Sequence, residues 1–171
     1  RPGKSQDDLR VVLPGDRSRP WDGAATELLL YLLGETGYAG RLGRALVEPG
    51  LVYAVYATRE KLGADGFLMV RTASAPKDTG EVLRRIRSLL EDAARGGFTE
   101  AELREARAYL RGKRARAREG SAAAARDALE RAPVPGSPAV DGVSLDQLND
   151  TARRLFRGGA PVAIVSGPPV D

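Results

Sequence analysis

Apolar positions change their spacing along the chain, and each change marks an element. Between Trp21 and Leu33, the residues Ala25, Leu28, Leu29, Leu32 and Leu33 recur three and four apart, which predicts a helix with one buried face. Gly34 to Gly37 end it, and a shorter helix from Tyr38 to Val47 carries Leu42, Ala45 and Leu46. From Leu51 to Ala57 the pattern becomes apolar on both faces. Val52, Ala54 and Tyr56 alternate with Leu51, Tyr53, Val55 and Ala57, which predicts a central strand covered on both sides. Gly63 to Gly66 form a turn, and Phe67 to Thr72 return antiparallel. Upstream, Arg1 to Asp8 is polar and expected to fray, and Leu9 to Leu13 reads as a short strand closed by Pro14-Gly15.

Two long helices follow the hairpin. Asp78 with Glu81, and Thr99 with Glu102, have the spacing of capping boxes. The first helix has the stripe Val82, Ile86, Leu89, Leu90 and Ala93 and stops at Gly96-Gly97. The second carries Leu103, Ala106, Tyr109 and Leu110 and turns strongly basic through Arg118. Ser121 to Ala132 reads as a further helical piece, and Pro133 to Gly142 as a Pro/Gly-rich loop. Ser144 with Gln147 opens a last helix ending near Phe156, and Pro161 to Ser166 is a closing strand. Antiparallel strands with helices packed on one face define an α+β domain. Residues 1–171 are expected to form one such domain, a fragment of a longer polypeptide because Arg1-Pro2 is not a natural start.

Composition narrows the chemistry. The sequence has no Cys and no His, which removes thiolate chemistry, the commonest zinc ligand and the commonest general base. No apolar run approaches the ~20 residues of a membrane span. The net charge of +4 is carried mostly by Arg, as a GC-rich genome also produces. Arg107, Arg111, Lys113, Arg114, Arg116 and Arg118 are the best case for a nucleic-acid or acidic-partner module, but they spread over several helix faces with only Tyr109 interleaved. Glu100, Glu102 and Glu105 suit the dipole of a helix N-terminus. Asp146 and Asp150 lie one turn apart without a third ligand, and read as a solvated face.

Several segments, taken in order, carry a family resemblance. Lys4-Ser5-Gln6 looks like a K-x-Q opening, and Leu33-Gly34 like the close of a first helix. Gly40-Arg41-Leu42, Gly50-Leu51-Val52-Tyr53, Phe98-Thr99-Glu100-Ala101-Glu102-Leu103 and the ending Ala160 to Gly167 follow. Together they resemble the C-terminal, non-metal domain of the M16 (insulinase-like, pitrilysin-like) zinc peptidases. The resemblance implies the M16 peptidase-like (LuxS/MPP-like metallohydrolase) fold and a non-catalytic role in building a peptide-enclosing chamber, within a zinc peptidase or its inactive partner subunit. It implies zinc only in a different domain or partner subunit, since no His-x-x-Glu-His occurs here. The implied partners are a sister M16 domain or partner subunit and an unfolded peptide, with a dimer left open.

In that family an Arg and a Tyr seven residues later contact substrate. Tyr53 falls on the Tyr, but Leu46 stands where the Arg would be, and Arg44 is two residues off register. Tyr53 is thus the one candidate substrate-binding residue. The competing reading, which is the favoured one, packs Tyr53 in the core with its hydroxyl at the edge.

Overall fold

The computed structural model describes residues 5–14, 23–62, 65–117, 139–157 and 160–168. Strand β1 (Asp7–Pro14) leads to helix α1 (Gly23–Leu33), the short helix α2 (Gly40–Leu42) and a π-helical turn, Gly43–Val47. The long strands β2 (Val52–Leu62) and β3 (Asp65–Ser74) follow. Helices α3 (Thr79–Gly96), α4 (Glu100–Ala117) and α5 (Leu145–Arg157) then precede β4 (Val162–Ser166). The four strands form one antiparallel sheet in the order β2-β3-β1-β4, and the helices cover one of its faces. The fold is α+β, as the pattern of strands and helices predicts.

Most of α1 is buried because it lies between the sheet and the outer helices, with α4 and α5 packed against it. A surface helix would show one stripe; this one buries Ala24, Ala25, Thr26, Leu28, Leu29, Tyr31, Leu32 and Leu33. The sheet contributes Leu9, Val11, Leu13, Val55, Ala57, Leu68 and Val70 to the same core. Helix α3 adds Val82, Ile86, Leu90 and Ala93, the expected stripe, while Leu89 is only partly buried.

Two of the three capping boxes form. The Thr99 N–H donates to Glu102 at 2.9 Å and the Glu102 N–H to the Thr99 hydroxyl at 3.2 Å. Ser144 and Gln147 exchange the same pair of bonds at 2.8 and 3.1 Å. Asp78 makes no side-chain cap bond. A 3-10 turn, Pro76–Asp78, starts α3 instead, and Glu81 turns to Arg84 and Arg85. Gly96-Gly97 ends α3 as expected, with Gly97 at φ 71°.

Other expectations are corrected. Asp7 and Asp8 belong to β1, where Asp7 is buried and accepts a 2.5 Å bond from the Thr79 hydroxyl. β2 is an edge strand of the described sheet rather than a central one. A bulge, described below, changes which of its residues face the core, and its outer edge is met by the Gly34–Gly37 connection. That connection covers the outer edge of β2, since Val55 N–H donates to Gly37 O at 2.9 Å and Ala57 N–H to Gly34 O at 3.2 Å. Lys4, Trp21, the helical piece 121–132 and most of the Pro/Gly-rich loop lie outside the described residues.

The α1–α4 seam makes a pH-dependent contribution. The buried Tyr31 hydroxyl donates to Glu105 at 3.0 Å, and its ring stacks on Tyr109 with centroids 4.1 Å apart. Burial, then the bond to Glu105, push Tyr31 up to about 12 from its ordinary 10.0. A folded-state value raised in this way means stability fully present below pH 10 and lost as pH rises towards 12. Urea titrations of wild type and Tyr31→Phe are expected to differ in their alkaline slope, by about 2 kcal/mol across that window. Parallel curves would show that the hydroxyl is not held by the fold.

Candidate functional site on the open sheet face

The face of the sheet turned away from the helices carries the candidate site, and a backbone irregularity builds it. Val52 pairs with Ser74 but Val55 pairs with Thr72, so Tyr53 and Ala54 together oppose Ala73. Such a β-bulge inserts one residue and re-aims the side chains around it. Val52 and Val55, three apart, both enter the core. Tyr53 is therefore turned outward, 82% exposed, and Tyr56 joins it on the open face. The Thr72 hydroxyl donates to the Ala54 carbonyl at 2.7 Å and holds the bulged segment. The reading that places Tyr53 in the core is overturned: the bulge turns the ring to the face that the helices leave uncovered.

Aromatic rings and guanidiniums collect around Tyr53. The exposed Tyr38 ring meets it edge-on, centroids 6.0 Å apart. The neighbouring Tyr53 hydroxyl raises the Tyr38 hydroxyl above its ordinary value. The Tyr56 ring lies over Gly37, where a Cβ would come within 2.7 Å of it; with φ at +87° this position is doubly suited to glycine. The Arg71 guanidinium sits 5.0 Å from the Tyr56 ring centroid, a cation–π distance. Tyr53, Tyr56, Arg71, Arg10, Asp8 and Gln6 line a shallow, open depression of about 350 Å³.

The structure does not assemble an Arg-Tyr pair. Leu46, seven residues before Tyr53, is 0% exposed and belongs to the core. Its segment is a π turn closed by Glu48 N–H to Gly43 O at 3.2 Å. A Cβ on Gly43 would collide with the Tyr38 carbonyl oxygen, so glycine allows this packing of the turn. Arg44 is exposed, and its charge acts on the Tyr31 hydroxyl at the α1–α4 seam, lowering it against the larger effects of burial and Glu105.

The residues present do not fit a zinc ion. Zinc prefers imidazole and thiolate donors, and the sequence has neither His nor Cys. Among the described residues no group of three acidic side chains is placed to hold a metal, and Asp150 lies 3.6 Å from Arg153. No helix among the described residues is long and apolar enough to cross a membrane.

Much of the basic helix serves packing. Arg107 donates to the Val143 carbonyl at 2.6 Å, Arg111 to Asp141 at 2.9 Å and Arg114 to Glu27 at 2.8 Å, while Lys113 pairs with Glu35. These contacts tie α4 to its neighbours and oppose the nucleic-acid alternative, although Arg104 and Arg116 stay exposed. Arg118 lies outside the described residues. The acidic start of α4 is likewise engaged: Glu102 takes the Arg41 guanidinium at 2.8 and 2.9 Å, and Glu105 takes Tyr31. The helix dipole alone does not account for them. Sequence reasoning missed Tyr38, Tyr56, Arg10 and Arg71 as neighbours of Tyr53, because the Gly37–Val55 bridge, the bulge and strand register bring them together.

Comparison with known proteins agrees with this fold. A zinc protease of Mycobacterium tuberculosis, named uncharacterized, is 33% identical over 105 residues, which is 61% of this chain and 23% of the relative. The chain therefore spans less than a quarter of the length of that relative. The peptidase M16 inactive domain of Pseudomonas fluorescens is similar in structure, with a TM-score of 0.75 at 24% identity, over 97% of this chain and 41% of that one. A protease from Helicobacter pylori superposes with a TM-score of 0.84 at 19% identity, covering 98% of this chain and 43% of that one. The model of the peptidase M16 inactive domain matches residues 1–110. With the fold and this match in agreement, the chain belongs to the peptidase M16 inactive domain family.

Proposed function

We propose that residues 1–171 form a single non-catalytic C-terminal domain of an M16 zinc metallopeptidase, or of its inactive partner subunit, and that its open sheet face walls a peptide-enclosing chamber. The observation that carries this reading is the outward Tyr53, clustered with Tyr38 and Tyr56 on a face the helices leave uncovered. Aromatic rings with polar tips suit extended peptides of varied sequence, since they offer both contact area and hydrogen bonds. Any zinc would belong to a different domain or to a partner.

A sister domain or partner subunit would take the other end of the sheet. Val162, Ile164 and Val165 of β4 are exposed, and β4 pairs only with β1 among the described strands. An apolar edge strand of this kind invites pairing or cover. The longer relatives have the extra length to supply it in the same chain.

Fluorescence anisotropy with unfolded, dye-labelled peptides tests the peptide-wall reading. The chain is expected to bind them, bind no stoichiometric zinc and cleave nothing. Tyr53→Ala is expected to weaken binding about fivefold, a loss of roughly 1 kcal/mol, with Tm unchanged because the ring is exposed. Chelator-sensitive cleavage by the pure chain would overturn the non-catalytic role. Absence of peptide binding, or binding indifferent to Tyr53, would overturn the wall.

A further inference from the structure

We infer that Arg10 and Arg71 form a carboxylate receptor on the open sheet face, so that this domain favours extended peptides carrying an acid. The inference rests on the peptide-wall reading and adds a chemical selectivity to it. Arg10 of β1 and Arg71 of β3 are direct cross-strand partners, and both are exposed. Directly opposed side chains in an antiparallel pair stand about 5 Å apart at Cβ, where like charges are destabilising. Neither guanidinium makes an ion pair among the described residues. Arg71 has the Tyr56 ring. The fold thus sets two arginines at directly opposed positions of one exposed face, Arg71 leaning on the Tyr56 ring and Arg10 beside it.

A carboxylate would balance the two charges. Arginine presents a planar fork of donors that matches a carboxylate, and it gives up water more readily than lysine does. The surroundings suit an acidic segment in extended form. Strand pairing sets Tyr56, Arg71, Arg10 and Ile164 in one row across the four strands, two cations between an aromatic and an aliphatic neighbour. Tyr53 and Gln6 add polar groups to the same depression. Asp8, two residues along β1 on the same face, is the one acid among the lining residues and has an interaction of its own. It limits the site to one incoming carboxylate rather than a dense polyanion.

Three short peptides of otherwise identical neutral sequence test the inference by anisotropy at low salt: one with a central Glu and an amidated C-terminus, its Gln counterpart, and the Gln peptide with a free C-terminal carboxylate. One or both carboxylate-bearing peptides are expected to bind about tenfold tighter than the amidated Gln peptide, and which of them does so identifies the source of the carboxylate. Arg10→Gln and Arg71→Gln are each expected to remove most of that preference, read within each variant as the ratio of its affinities for the carboxylate-bearing and the amidated Gln peptides. Arg10→Gln should keep the wild-type Tm or exceed it, since it relieves a like-charge pair. Arg71→Glu should shift the preference to a Lys peptide. Equal binding of all three peptides would overturn the receptor and leave the peptide wall standing. A preference that survives the double Gln variant would also overturn it. Binding of none would overturn both.

Discussion

Replacing Leu46 with arginine, which nominally restores the arginine of the Arg-Tyr pair seven residues before Tyr53, is expected to unfold the domain rather than complete a site. Leu46 is 0% exposed, in a turn whose backbone runs on directly into β2. Losing a fully buried leucine costs about 2–5 kcal/mol. Burying an unpaired guanidinium adds several kcal/mol more, and the one buried acid among the described residues, Asp7, is already bonded to Thr79. That total is comparable to the whole stability of an ordinary domain, about 5–15 kcal/mol. Circular dichroism with urea titration should therefore show no cooperative transition for Leu46→Arg, while Leu46→Met retains one with a loss below about 1.5 kcal/mol. A folded Leu46→Arg variant, with its guanidinium reaching solvent beside Tyr53, would show that the π turn can rewind.

The next largest effect is expected at Arg41, which fastens α2 to the α3–α4 corner. Its Nε and Nη2 donate to the two Glu102 oxygens at 2.8 and 2.9 Å, and Nη2 also donates to the Gly97 carbonyl at 2.8 Å. Its guanidinium lies 4.1 Å from the Phe98 ring centroid. Both side chains are largely buried, at 22% and 18% exposure, so solvent screens the pair only in part. Arg41→Ala is expected to cost about 3 kcal/mol, and Arg41→Lys to recover less than half, because an ammonium cannot match the bidentate geometry. Burial pushes the Glu102 carboxyl up, but the bonds from Arg41 and from the Thr99 N–H outweigh it and hold it below its ordinary value. A depressed folded-state value contributes stability above the unfolded value of 4.5, and that contribution is lost as pH falls below it. The gap between wild type and Arg41→Ala should therefore shrink in acid, keeping only what Gly97 and Phe98 supply. An equal gap at neutral and acid pH would assign the whole effect to those two contacts.

Why Gly40-Arg41-Leu42 reads as a family signature follows from the same corner. Leu42 is in the core and Arg41 is bound to Glu102, while Gly40, at φ +75°, packs so closely on the Leu33 carbonyl that a Cβ would lie 2.7 Å away. Three residue types meet three local demands, which is why the motif can be found without a structure. The Thr99 and Ser144 boxes are legible for the same reason: each involves residues three apart, and a helix start leaves its first N–H groups in need of partners. Asp78 has that spacing too, yet the Pro76 turn before it takes over the start of α3.

What the sequence determined alone is what depends on near neighbours or on composition: the helices and their buried faces, the hairpin, two caps, the family, and the lack of any imidazole or thiolate to bind zinc. Tertiary structure decided which way β2 faces. Strict alternation groups Tyr53 with Val55 and Ala57, in the core; one extra residue opposite Ala73 sends it to solvent. A bulge is set by pairing with another strand, and Thr72, which holds it, is eighteen residues from Ala54. The meeting of Arg10 with Arg71, and the outward row they share with Tyr56 and Ile164, likewise depends on the register of distant strands, which local spacing does not encode.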